Sequence, residues 1–209
     1  MARTTTASCR LCRREKEKLF LKGTKCSSGK CAFVKREYAP GQHGQLRKRK
    51  PSDYAIQLRE KQKAKRAYGI LEKQFKNYFK KAEKAKGVTG EVLLQFLERR
   101  LDNVIFLACF ASSRSSARQL VSHRFVKVNG RKVNISSFLV KKGDEITLAG
   151  KDKQLKEIKK TTKVLEDRGT PEWMEVASDA LAIKILHLPE KEDISMAIEE
   201  NLIVELYSK

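Results

Sequence analysis

The sequence predicts an α+β protein: an N-terminal zinc-bound segment and a basic helical domain, accompanied by a small α/β unit that contains a short antiparallel sheet. Four cysteines, Cys9-x2-Cys12-x13-Cys26-x4-Cys31, crowd the start of the chain. Apolar residues recur at helical spacing from residue 53 to residue 121, among them Leu71, Phe75, Tyr78 and Phe79, then Leu97, Leu101, Val104, Ile105 and Ala108. Asn129-Gly130 follows the strand-like Phe125-Val126-Lys127-Val128. It is the strongest short hairpin signal, because a type I′ turn needs positive φ at both central residues.

The 209 residues carry a formal net charge of +21, unevenly spread. Residues 1–50 hold 15 Lys/Arg against 3 acids, 51–86 hold 11 against 4, and 87–163 hold 16 against 7. Residues 164–209 reverse the sign, with 4 against 11. A cationic block of this size repels itself, and a polyanion is its natural partner. The basic helices lack the broad Trp/Phe/Leu face of an interfacial helix, so nucleic acid is favoured over a membrane surface. No apolar run approaches the roughly 18 residues of a membrane span, and no apolar core marks the N-terminus as a secretory signal. The acidic end is expected to pack back on the protein or to face a basic partner protein.

The cysteine pairs suit tetrahedral thiolate ligation of one structural zinc ion by Cys9, Cys12, Cys26 and Cys31. Disulfides and free thiols are disfavoured alternatives, and an iron–sulfur cluster is the minor one among metals. Zinc would fold a segment too polar to fold alone and would fix Arg10, Arg13, Arg14, Lys16 and Lys18 on a scaffold. Residues 38–50 form a loop, with Pro40-Gly41 and Gly44 as turn formers and the cationic cluster Arg47-Lys48-Arg49-Lys50 at its end. The cluster could pass for a nuclear localisation signal, but nucleic-acid phosphates suit it better here. His43 reads as a loop residue, since four cysteines complete a site.

Pro51-Ser52-Asp53 opens a helix that stops at Gly69. Its thin apolar side leaves Arg59, Lys61, Lys63, Lys65 and Arg66 for solvent or phosphate. A second helix, with Leu71, Phe75, Tyr78, Phe79 and Ala82 inside, ends at Gly87. Thr89 caps a long helix leading through Leu101, and Ser112 or Ser113 caps the next, where Arg114 and Arg118 share one side. The hairpin adds Arg131 and Lys132. Another strand follows Gly143, then a Lys-rich linking helix over 151–165. Residues 182–186 read as short strands or turns, and 202–207 as a packed strand or extended segment. Cys109 and Trp173 read as core. The expected divisions are a cysteine segment over 1–45, a helical domain over 46–98, a small α/β unit over 99–165 and a C-terminal segment over 166–209.

The blocks Arg100-Leu101-Asp102-Asn103-Val104, Ser113-Arg114-Ser115-Ser116-Ala117-Arg118-Gln119-Leu120-Val121 and Val128-Asn129-Gly130-Arg131 resemble the small RNA-binding S-four domain. That domain also occurs on RNA-modifying enzymes and tRNA synthetases. Further motifs widen the resemblance to nearly the whole chain: Tyr38-Ala39-Pro40-Gly41-Gln42-His43-Gly44, Pro51-Ser52-Asp53-Tyr54, Gly87-Val88-Thr89-Gly90 and the ending Ile203-Val204-Glu205-Leu206-Tyr207-Ser208-Lys209. Together they resemble the bacterial-type S-four family of small-subunit ribosomal proteins, in its zinc-keeping branch.

The resemblance implies that the S-four domain is an insertion and that the C-terminal segment returns to the helical domain. It implies a primary rRNA-binding protein, a monomer within the ribosome, that holds a junction in the 5′ domain and nucleates assembly of the subunit body. It further implies contact with the fifth small-subunit protein, a part in translational accuracy, and basic residues along the path by which mRNA enters. Carried onto this chain, rRNA contacts fall on Arg10, Arg13, Arg14, Arg59, Lys61, Lys63, Arg66, Arg100, Arg114, Arg118, Arg131 and Lys132. The mRNA path falls on Arg47, Lys48, Arg49 and Lys50. The expected location is a cytoplasmic ribosome, with an organellar one as the alternative. An RNA-modifying enzyme is the rival reading. It lacks room for a catalytic domain, and the histidines His43, His123 and His187 are scattered. A non-ribosomal RNA-binding regulator would use the same surface.

Overall fold

The structure is a computed structural model that describes residues 6–46, 50–194 and 196–208. It falls into two compact units, one of residues 1–93 with 196–209, the other of residues 94–195 inserted between them.

The first unit begins with α1 (Ser8–Glu15) and two single turns, α2 (Thr24–Ser27) and α3 (Ala32–Lys35). Cys12, Cys26, Cys31 and Leu19 are buried among them. Helix α4 (Asp53–Ala67) starts where the sequence predicts: the Ser52 hydroxyl accepts from the Ala55 N–H at 3.3 Å, and Asp53 lies in the first turn. It closes at Gly69, whose φ of +64° lets the chain reverse. Helix α5 (Glu72–Glu83) buries Phe75, Tyr78, Phe79 and Ala82 along one face. The end of the chain forms helix α10 (Glu200–Tyr207), which packs on α4 and buries Ile203. A strand or extended segment is expected over 202–207, and the structure has a helix instead. A short apolar run does not distinguish the two by period. Packing against α4 decides it, and Tyr207 stacks on Phe79 with ring centroids 4.4 Å apart.

The long helix expected from Thr89, with residues 89–93 in the first unit and the rest in the second, is broken in two. Helix α6 (Thr89–Glu98) stops, Arg100 is extended with φ −67° and ψ 135°, and α7 (Leu101–Leu107) begins. The break has a physical cause. The N–H groups of Leu101 and Asp102 donate to Phe138 and Ser136 carbonyls at 2.9 and 3.2 Å, so tertiary bonds replace helical ones. Helix α8 (Arg114–Ser122) is capped by Ser113, whose hydroxyl accepts from Ser116 N–H at 3.3 Å. Strands β1 (Val126–Val128) and β2 (Arg131–Val133) flank the Asn129-Gly130 turn, with φ of +48° and +77° as a type I′ turn requires. Strand β3 (Glu145–Leu148) and helix α9 (Asp152–Leu165) follow.

The segment after 165 does not return as one piece. Strands β4 (Met174–Ala177) and β5 (Ala182–Ile185) join the same sheet, in the order β2-β1-β3-β5-β4, antiparallel throughout. Only residues from 196 onward belong to the first unit. Ile183 and Ile185 alternate inward beside Ile146 and Leu148, which is why these strands are retained in the second unit's core. Trp173, fully buried, anchors that core, as expected of the only tryptophan.

Candidate nucleic-acid interface

The cysteines come first in the chain. None is in a disulfide; Cys9 is half-buried and Cys12, Cys26 and Cys31 are buried. Burial pushes the Cys12 thiol up, and Cys26, Cys9 and Cys31 add to that against a backbone hydrogen bond from Leu19. The four sulfurs therefore share one neighbourhood. Among the described residues, however, no three His, Cys, Asp or Glu side chains stand together as a ready metal site.

The cations of the first unit divide into two kinds. Arg10 and Arg14 on α1 are exposed, as is Lys50. Arg13 is tied inward: Nε and an Nη donate to the Tyr38 and Ala39 carbonyls at 3.0 and 3.4 Å, and the guanidinium lies 4.8 Å from the Tyr38 ring centroid. The four cations expected on α4 all have carboxylate partners. Arg59 and Arg66 both donate to Oε1 of Glu15, Arg59 at 3.2 Å. Lys61 reaches Glu72 at 2.7 Å, and Lys63 reaches Glu60 at 2.6 Å and Glu17 at 3.3 Å. The Glu15 side chain is 1% exposed, and its second oxygen has no hydrogen-bond partner among the described residues. Burial raises the Glu15 carboxyl above its ordinary range, while Arg66, Arg59 and Arg14 pull the other way. Arginines on α4 thus join it to α1, and that is a structural duty whatever else they do. Arg47, Lys48 and Arg49 lie outside the described residues.

The second unit repeats the pattern around Asp102, which is 2% exposed. Arg100 Nε and Nη2 donate to its two oxygens at 3.0 and 2.7 Å, and Arg118 Nε and Nη2 donate to Oδ2 at 3.0 and 2.7 Å. Next to it, Asn103 donates to the carbonyl and carboxylate of Glu98 and accepts from Arg114 Nε at 2.8 Å. The Arg114 guanidinium also lies over Phe106, 4.4 Å from the centroid, and Arg168 lies over the same ring at 3.6 Å. Arg100 and Arg114 are 1% and 8% exposed, so neither stands out toward a ligand; Arg118, with its side chain 21% exposed, only partly does. By contrast Arg131 and Lys132 on β2 are exposed, and so are Arg124 and His123 at the end of α8.

Each unit therefore combines a buried, carboxylate-centred arginine cluster with a separate set of exposed cations. Sequence spacing identified Arg114 and Arg118 as sharing one helix side, but the groups facing them, Asn103 and Asp102, come from a different element, α7. Exposed lysines with no role assigned from the sequence lie on α5 and on α9, the helix expected to be Lys-rich. Their signal was available as a helical stripe of like charge.

Comparison with known proteins closes the description. A family model described as the ribosomal protein S4/S9 N-terminal domain matches residues 3–98, and one described as the S4 domain matches residues 99–146. A curated protein of Thermodesulfovibrio yellowstonii, named small ribosomal subunit protein uS4, is 56% identical over 209 residues, covering 100% of both chains. Proteins of the same name from Syntrophus aciditrophicus and Solidesulfovibrio magneticus are 54% and 56% identical, again over 100% of both chains.

Proposed function

Because the chain belongs to the family of small ribosomal subunit protein uS4, we propose that it is a structural constituent of the small ribosomal subunit and a primary binder of its rRNA. The family is structural and not enzymatic. The observation that carries the reading is identity of 56% along the entire length, both units included. The chemistry agrees. A net charge of +21 supplies affinity for phosphates by counterion release, and rigid placement of cations suits reading the shape of a folded RNA junction. Narrow A-form major grooves leave side chains little base-edge information to read. Sucrose-gradient sedimentation of a lysate tests it. One copy of the chain should migrate with each small subunit after a moderate salt wash; a signal mainly at the top of the gradient would leave the reading unsupported.

Four finer assignments belong to the same proposal. A zinc ion is held by Cys9, Cys12, Cys26 and Cys31, supported by an all-thiol donor set of which three members are buried. The bound ion supplies folding free energy to the polar residues 8–35, and its binding displaces protons from the thiols. Metal analysis should find one zinc per chain; iron in its place would favour a cluster. Arg47, Lys48, Arg49 and Lys50 line the path of incoming mRNA, supported by four consecutive cations in the sequence. The fifth small-subunit protein is a neighbour, through which the chain influences accuracy. The chain works as a cytoplasmic ribosomal monomer. No helix among the described residues is long and apolar enough to cross a membrane.

A further inference from the structure

Helix α5 carries Lys73, Lys76, Lys80 and Lys81, and Lys84 follows at its C-cap. All five are exposed. At 100° per residue, Lys73, Lys76, Lys80 and Lys84 lie within about 80° of arc, with Lys81 on one flank. The buried Phe75, Tyr78, Phe79 and Ala82 occupy the opposite side. From Lys73 to Lys84 the ridge runs roughly 16 Å at the helical rise. None of these lysines has an ion-pair partner among the described residues. The nearest acid on their own helix, Glu83, lies at the edge of the ridge, and Glu72 is engaged by Lys61 and Lys65 at 2.7 and 2.9 Å. This contrasts with α4, where each expected RNA-binding cation has an internal carboxylate. Like charges one turn apart oppose a helix. This one is held by its apolar face, including the stack of Phe79 on Tyr207 at 4.4 Å.

The geometry points to this ridge as a phosphate-binding surface for the backbone of base-paired RNA, an assignment that rests on the rRNA-binding reading above. Lysines in a row are compact point charges that follow a line of phosphates without demanding bidentate geometry. Unpaired RNA would call for exposed aromatic platforms between the cations, and the three aromatics of α5 are all buried, at 0%, 5% and 6% exposure for Phe75, Tyr78 and Phe79. Duplex RNA is gripped through phosphates and 2′-hydroxyls, which suits a ridge without aromatics.

The test uses the full chain with Lys73, Lys76, Lys80, Lys81 and Lys84 all changed to Gln. A control neutralises five exposed lysines of α9: Lys153, Lys156, Lys159, Lys160 and Lys163. Circular dichroism checks that each folds, and the smaller variant Lys76→Gln/Lys80→Gln replaces the first should it not. Binding is measured against salt with a transcript of the small-subunit rRNA 5′ domain, a blunt RNA duplex and an unpaired oligonucleotide of equal length. The slope of log K against log salt should fall in magnitude by about 3.5 to 4.5 for the five-lysine variant, and by about 1.5 for the pair, at roughly 0.7–0.9 per phosphate contact. Affinity at low salt should drop more than tenfold for transcript and duplex, and the α9 control should lose less than half as much slope. An unchanged slope, an equal loss in the control, or a loss confined to the unpaired oligonucleotide would overturn the ridge while leaving rRNA binding intact. Failure of the unaltered chain to bind the transcript would overturn both.

Discussion

Asp102→Asn should unfold the second unit far more readily than its single-atom change suggests. Asp102 is 2% exposed, and it accepts four N–H bonds from two guanidiniums at distances from 2.7 to 3.0 Å. Asparagine keeps the shape, but it loses the charge and turns an NH2 toward arginine nitrogens. Arg100, 1% exposed, then stays buried without its counter-charge, whereas Arg118, with its side chain 21% exposed, can turn partly to water. Breaking a buried pair from one side costs about 3–5 kcal/mol, a large share of the roughly 5–15 kcal/mol that holds a domain. The assay is urea unfolding followed by fluorescence of Trp173, the only tryptophan and a core residue of this unit. Arg118→Met should cost less, about 1–2 kcal/mol, in line with a partly solvated charge-assisted bond. A double replacement of Arg100 and Asp102 by Met and Leu should recover much of the loss, because the buried ions leave together. A midpoint for Asp102→Asn within about 1 kcal/mol of the unaltered chain would refute the claim that this carboxylate organises the cluster. The same reasoning changes how RNA-binding mutants are read: Arg114→Ala with Arg118→Ala should lower the unfolding midpoint, so any lost affinity must be measured on protein shown to be folded.

Other changes have equally definite outcomes. Trp173 is fully buried, so its native emission should be blue-shifted and resistant to iodide, and Trp173→Ala should cost about 3–5 kcal/mol in urea; emission already red-shifted in the native protein would contradict the packing. A Cβ added at Gly90 would lie 2.5 Å from Cγ and 2.8 Å from Cβ of Glu200. Gly90→Ala should therefore displace α10 and cost about 1–3 kcal/mol by overpacking, read as a lower melting temperature; a neutral result would mean that α10 shifts without penalty. Burial alone would raise the Glu72 carboxyl, but hydrogen bonds from Lys61 and Lys65 outweigh it and hold it at about 2. Its folded value lies below the unfolded one, so its contribution is full above the unfolded pKa of about 4.5 and disappears as pH falls through about 2. The Glu72 side chain is 47% exposed, so the contribution stays below about 1 kcal/mol. Glu72→Gln should melt slightly lower than the unaltered chain at pH 7 and equally at a pH well below 2; a gap that persists through acid would rule out the ion pairs as its source.

Local chemistry made much of the fold legible. Ser52 and Ser113 cap their helices because a hydroxyl before an apolar-periodic run satisfies the N–H groups that every helix leaves open. Asn129-Gly130 turns where it must, since few other pairs accept two positive φ values. What escaped was set by partners distant in the chain. The break at Arg100 depends on carbonyls of Ser136 and Phe138, and α10 depends on the face of α4. Strands β4 and β5 depend on an open edge of β3, which pairs with β5 in the register Ile146 to Ile183. No window of the sequence contains these interactions.

The candidate site follows the same rule. Charge and family motifs pointed to nucleic acid, but which arginine faces RNA is a question of where the acids are. Arg59 lies 44 residues from Glu15 and Arg118 lies 16 from Asp102, so each cation appears unopposed in its own helix and is neutralised by another. Among the described residues, lysines of α5 have no such partner. Their stripe was present in the sequence from the start, yet it gains meaning only after the carboxylate partners of the arginines are known. For a strongly basic protein, the cations that remain once internal ion pairs are set aside are therefore a better guide to the polyanion's footprint than the densest run of positive charge.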